Sequence, residues 1–485
     1  MKTRLPIAAG ALALIVAAAS VAKDMIPTPP DDLPVGALEP FLDAKFKELD
    51  DPDAKMADFA DDPKFKALVE EHDLHLFGGP MLGQLAHDSV AIWVRTAKEA
   101  EVEIIAWPKG ASREVTNTSG KMKTTSENDL AATLRLQHLA PTTEYFYDVM
   151  IDGKSVYKDG KFPLLKTTPK PGTGGDIRIA FGGGARYNPP KEFIWDTIAS
   201  FQPDAFLFLG DNLYMDLPLR RDVQRLYYYR RQLRPEYRRL LSRSAAYAIW
   251  DDHDFGANDC EGGPEIDKPA WKIPVWKVFK ENWVNASYGG GEKLPGCWFK
   301  FRMGDVEFFM TDGRYYRAFK GRTGADKTML GPEQKAWLKK ALKESDATFR
   351  VICSGTLWTE HADKGGADSW WGCKEEREEI FSVIDEEKID GVILLSADRH
   401  RTDVYRIDRP KGYPLYEFET SKLTNNHTHK TREKALFSYN KGNFFATVDF
   451  NCSKPDPSLT FRCITAEGKE IHAMTVKRSE ISFPK

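Results

Sequence analysis

The chain reads as an α/β protein preceded by an all-β module, and three observations carry that reading. First, three apolar runs end in acids: residues 206–209 before Gly210-Asp211, 246–250 before Asp251-Asp252-His253-Asp254, and 391–397 before Asp398-Arg399-His400. Such runs match strands buried on both faces, which present functional residues at their C-terminal ends. Second, strand and helix patterns alternate from Asp176 onward, which argues for parallel crossovers. Third, between residues 76 and 168 the apolar period is two, as in Val90/Ile92/Val94 and Tyr145/Tyr147/Val149. Short alternating strands between turn signals predict a β-sandwich.

A length of 485 residues is long for one core, so two or more domains are expected. The net charge of −3 gives no drive towards nucleic acid or an anionic membrane, and no stable nucleic-acid complex is expected. Lys2 and Arg4 precede an almost wholly apolar stretch, residues 5–19, and then Ser20-Val21-Ala22. That is the layout of a signal peptide over residues 1–22, with an uncleaved anchor as the other reading. Cleavage predicts a secreted or periplasmic protein with no transmembrane segment, its charge moved from −3 to −5 by loss of Lys2 and Arg4. Six cysteines allow up to three disulfides in that setting. Cys452 and Cys463 flank a Pro-containing turn and are the favoured pair, whereas Cys353 lies in an apolar strand and reads as a buried thiol.

In chain order, residues 23–75 form a Pro- and Asp-rich linker and a helical arm, with helical pieces over 41–49 and 63–71. Within residues 76–168, the run "LAPTTEYFYDVMIDG" resembles the late strands of fibronectin type III-like domains, modules that position or bind. Pro169-Lys170-Pro171-Gly172 makes a hinge into a second unit, residues 176–485. Its first strand, 177–181, runs into Gly182-Gly183-Gly184-Ala185-Arg186-Tyr187, which has neither the P-loop ending nor dinucleotide spacing. A helix over about 190–200 follows. Residues 220–243 are heavily basic and predict a helix with a solvated cationic face, or one that gathers an anionic substrate. The tryptophan-rich residues 260–296 are placed at a substrate entrance, residues 298–310 form a hairpin, and the loop 359–373 is expected to hang over the site. Antiparallel strands close the chain.

Asp211, Tyr214, Asp252, Asp398 and His400 offer hard oxygen donors and one imidazole. Such a set selects Ca²⁺, Mn²⁺, Mg²⁺ or Fe³⁺, and a tyrosinate suits ferric iron. Two metals about 3.5–4 Å apart suit displacement at phosphorus, one activating water or hydroxide and both polarising the phosphoryl oxygens. His253 is placed to protonate the leaving oxygen or hold the phosphate.

The motifs "FLFLGDNLY", "YAIWDDHDFGANDC" and "ILLSADRH", in this order, resemble the alkaline phosphatase D (PhoD-like) family, within the wider calcineurin-like and purple acid phosphatase group. The resemblance covers about residues 76–485. It implies an α/β (α+β) four-layer metallophosphoesterase-like sandwich preceded by a fibronectin III/Ig-like β-sandwich. It also implies two metal ions, Ca²⁺ and Fe³⁺, with Asp211 bridging them and Tyr214 on the ferric ion. Asp252 would bind the second metal with His253 near the substrate, and Asp398 and His400 would serve one metal each. Gly183-Gly184 stand where the family usually has Ser-Cys, its Cys an iron ligand, and Ala397 stands where Gly is usual. Arg186 is a candidate for supplying charge to the phosphate, with a surface role as the alternative. The activity expected is an exported metal-dependent phosphoesterase acting on small phosphate mono- or diesters. A phosphate-ester-binding protein without turnover, and a phosphodiesterase acting on nucleic acid or lipid, are the alternatives.

Overall fold

The computed structural model describes residues 35–485 apart from Val115, Gly365 and Lys485. The expected signal peptide and the Pro- and Asp-rich linker lie outside the described residues. Among the described residues no helix is long and apolar enough to cross a membrane.

The arm folds as helices Val35–Leu49 and Pro63–Glu71, the second capped by Asp62, whose carboxylate accepts from the Lys64 and Phe65 N–H groups. Phe41, Phe46, Phe59 and Phe65 form a separate small core with Leu226, Tyr229 and Leu233. The arm is therefore clamped onto the basic helix by aromatic burial.

Two antiparallel sheets follow. One joins Leu76–Gly83, Val90–Thr96 and Ala131–Leu136; the other centres on Glu101–Pro108 and Glu144–Ile151. Burial alternates along Ala131–Leu136, as the period of two predicts, but Val90–Thr96 is buried throughout. Its second face docks on the larger unit. Trp93 donates to the Glu281 carbonyl, and Arg95 donates to Gln232 and Asn282.

The larger unit stacks two mixed sheets. In the first, Ala245–Ile249, Ala205–Leu209 and Asp176–Gly182 run parallel, and Phe444–Asn451, Ser458–Thr465 and Glu470–Lys477 continue it antiparallel. In the second, Val306–Met310, Phe349–Cys353, Val392–Ser396 and Leu415–Thr420 are parallel neighbours, edged by the hairpin strand Phe299–Met303. Phe418 stacks on Phe461 and Phe349 packs against Phe450 where the sheets meet. Trp195 of helix Ile194–Ser200 covers Phe206 and Phe208 on the first sheet. Helices Gly331–Glu344 and Lys374–Glu386 bring Leu338, Leu342, Ile380 and Ile384 into the same core.

Three expectations are corrected. The arginines of helix Arg221–Gln232 are not a solvated cationic face: Arg225, Arg230 and Arg231 are buried and pair with Glu281, Glu39 and Glu192. Those acids lie far off in sequence, so composition alone misreads the helix. Cys452 and Cys463 are not bonded. In the hairpin Asn451 faces Ser458 while Cys463 faces Ala446, which puts the two thiols at opposite ends of the ladder, and all six cysteines are free. Trp276 and Trp283, placed at a substrate entrance by their loop-rich context, are core residues: Trp283 packs against Phe208 and Phe279, and buried Trp276 donates to the Gly296 carbonyl.

Candidate metal centre

The apolar strand Ala205–Leu209 ends at Gly210, whose φ is +100° and whose added Cβ would come within 2.5 Å of Asp251 Cβ. Only glycine permits that approach, and it brings the first two strand ends together. Asp254 locks them. Its carboxylate accepts from the backbone N–H of Asn212, Leu213 and Asp251 and from the Asn212 side chain. Burial pushes Asp254 up to about 6 against those bonds. Asp211, Tyr214, Asp398 and His400 all have positive φ, between 50° and 87°. Backbone strain of this kind persists where the surroundings enforce it, and it clusters at functional sites.

Tyr214 donates to Asp211 Oδ2 (2.8 Å), and its oxygen lies 3.1 Å from His400 Nε2. Asp211 Oδ1 and His400 Nδ1 are buried with no hydrogen-bond partner. Burial, reinforced by His427 and His429, lowers His400 to about 3, so its imidazole is neutral and ligand-ready. Asp211, Asp252 and His253 each offer an atom within 4.8 Å of the others. His253 stacks on Tyr214 with centroids 4.3 Å apart, and its Nδ1 donates to Asp216 (2.5 Å). Burial opposes its charge, but the Asp211 carboxylate and the Asp216 bond outweigh it and push it up to about 10.

Beside this lies a second carboxylate cluster, Asp252, Asp259 and Asp368. The Asp259 N–H donates to Asp252 Oδ2 (2.7 Å). Buried Arg314 forks onto Asp368 (2.8 and 3.0 Å) and also holds Asp251. Burial and the neighbouring Arg314 and His253 cations act in opposite senses on Asp252, and the cations win, taking it to about 2. Asp398 faces Lys364 and Thr356 rather than His400. The final motif thus sends its two side chains to two different places.

The arrangement brings Asp211, Tyr214, Asp252, His253 and His400 into one constellation, with Asp398 at its far side. Arg186 is exposed. Its carbonyl accepts from Thr424 Oγ1, and among the described residues its guanidinium makes no hydrogen bond to the centre. The loop 359–373 does reach the centre, through Lys364 and Asp368. Those two residues, with Asp216, Asp259 and Arg314, were not singled out from sequence. The available signals were the polar character of that loop and the Asp312-Gly313-Arg314 turn after the hairpin.

An oxygen-rich pocket with a neutral imidazole and orphaned buried acceptors fits a hard cation. Cys260 Sγ lies 3.6 Å from the Asp252 carbonyl oxygen, and burial pushes that thiol up to about 12, so it stays protonated. At Gly184 (φ +66°) a Cβ would lie 2.8 Å from the Lys422 nitrogen, so a cysteine there has no room.

A family model for PhoD-like phosphatases matches residues 179–475, and one for a domain of unknown function matches residues 73–169. The chain is 22% identical over 377 residues to alkaline phosphatase D of Bacillus subtilis (strain 168), covering 66% of this chain and 64% of that protein's length. Among solved structures it is similar to PhoD, with a TM-score of 0.67 at 15% identity over 83% of this chain and 93% of that one. It is also similar to purple acid phosphatase PPD1 from yellow lupin (Lupinus luteus) seeds, with a TM-score of 0.59 at 15% identity over 84% of this chain and 77% of that one.

Proposed function

The chain belongs to the PhoD-like phosphatase family, and on that premise we propose that it is a metal-dependent phosphoesterase hydrolysing small phosphate mono- or diesters. The observation that carries this reading is the convergence of Asp211, Tyr214 and His400 around orphaned acceptors, with Asp252 and His253 alongside. Asp211, Tyr214 and His400 would hold one cation, and Asp252 and Asp398 with Asp368 a second. The donor set suits Ca²⁺, Mn²⁺, Mg²⁺ or, through Tyr214, Fe³⁺. When bound, such ions supply the positive charge that polarises the phosphoryl group and the attacking water.

The chain's own residues do the rest. Asp216 fixes the Nδ1 side of His253, leaving Nε2 to meet a phosphate oxygen or to give its proton to the leaving oxygen. The stack on Tyr214 sets the ring's plane. Arg314 holds Asp251 and Asp368, keeping neighbouring carboxylates in one geometry. The module over residues 76–168 is proposed as a fibronectin III-like positioning domain. Its Tyr145 hydroxyl accepts from the Ala140 N–H (2.8 Å), the tie of a tyrosine corner. Residues 1–22 are proposed to direct export.

Purified protein is expected to hydrolyse p-nitrophenyl phosphate or its bis ester, to lose activity with chelator, and to regain it with Ca²⁺, Fe³⁺ or Mn²⁺. Absence of turnover with every one of those metals rejects the reading. Asp211→Asn should abolish turnover while the chain stays folded.

A further inference from the structure

The two halves of the centre differ in one respect. Around Asp211 and His400, buried atoms lack partners. Around Asp252, Asp368 and Asp398, cations are already in place. Lys364 Nζ lies 2.6 Å from Asp368 Oδ2, 2.9 Å from Asp398 Oδ2 and 3.4 Å from Asp259 Oδ1, with its side chain only 13% exposed. Arg314 and Arg317 take the remaining sides of Asp368. Four carboxylates therefore face three positive charges, and the ammonium sits among the oxygens of Asp368, Asp398 and Asp259.

The chemistry of lysine matters here. An ammonium is a compact point charge on a flexible stem, so it fills an oxygen cage as a small cation does and can withdraw, unlike the flat guanidinium of arginine. A divalent ion entering beside a retained ammonium would meet its full charge at close range, in a site with little water to screen it.

We propose that Lys364 is the resident cation of the second position: a second metal ion binds there only by displacing its ammonium from Asp368 and Asp398. This rests on the reading that the first position, at Asp211, Tyr214 and His400, holds a metal. It makes the centre one firmly bound ion plus one exchangeable ion.

The test is metal stoichiometry on the full chain, read without activity. Chelator-stripped wild type and Lys364→Met are loaded with Mn²⁺, desalted, and assayed by elemental analysis and calorimetry. Wild type is expected to retain one ion, and Lys364→Met two, with the second ion bound about tenfold or more tightly than in wild type. Melting of the stripped variant should fall below that of wild type and rise further on Mn²⁺ addition, since its carboxylates are left unpaired. If Lys364→Met does not fold without metal, Lys364→Gln purified in Mn²⁺ gives the same comparison. Equal counts and equal affinities in wild type and variant overturn the role of Lys364 and leave the proposed function standing. No ion retained by either protein overturns the function reading itself, and the role of Lys364 with it.

Discussion

Ala397 Cβ lies where a side chain on residue 183 would have to go: a Cβ added to Gly183 would approach it to 2.7 Å, with the Gly210 carbonyl at 3.0 Å. Glycine at 183 and alanine at 397 thus share one space, in which one small residue makes room for the other. Gly183→Ser is expected to destabilise the chain by about 1–3 kcal/mol through overpacking. Adding Ala397→Gly should recover part of that loss. Denaturant midpoints of the two single variants and the double variant measure the coupling; additive effects would show the two positions to be independent.

Arg314 is expected to be the most costly single charge to remove from the larger unit. It is fully buried and pairs with Asp251 and Asp368. Arg314→Met leaves Asp251 without its cation and takes one of three from Asp368, which keeps Lys364 and Arg317, and should cost about 3 kcal/mol of stability. Chemical denaturation of the purified variant checks this, and a loss below 1 kcal/mol, about the value of a surface pair, contradicts it.

In metal-free protein, His253 should titrate near 10, far above an ordinary histidine. The sign follows from linkage. A raised folded pKa stabilises the fold fully below the unfolded value and loses that contribution as pH rises through about 10. Nuclear magnetic resonance of the imidazole reads the titration directly. Asp216→Asn should lower it, and an unchanged midpoint would remove Asp216 as a partner.

All six cysteines should react as free thiols once the chain is denatured, with no mass change on reduction. A count of four or fewer under non-reducing conditions would contradict the free state of the six thiols.

What could be read from sequence follows from how local each feature is. An apolar run ending in Gly-Asp or Asp-Arg-His declares itself within ten residues, because the strand and the turn that presents the acid are contiguous. Lys364, Asp368 and Arg314 gave no such signal: each reaches the centre from a loop or hairpin end whose approach depends on distant packing. The burial of Arg230 and Arg231 was hidden for the same reason, since Glu39 and Glu192 are remote in sequence. Val90–Thr96 shows the converse case. Its alternation marks one buried face correctly, but the second face is covered by a docking surface that a period of two does not encode.

Separate strand ends bring Asp211, Tyr214 and His400 together as the proposed cation pocket. Anomalous diffraction from crystals loaded with Mn²⁺ reads its occupancy. A strong peak bonded to oxygens of Asp211 and Tyr214 and to a His400 nitrogen is expected. Mn²⁺ bound only elsewhere on the chain, with those three side chains still bonded to one another, would contradict it.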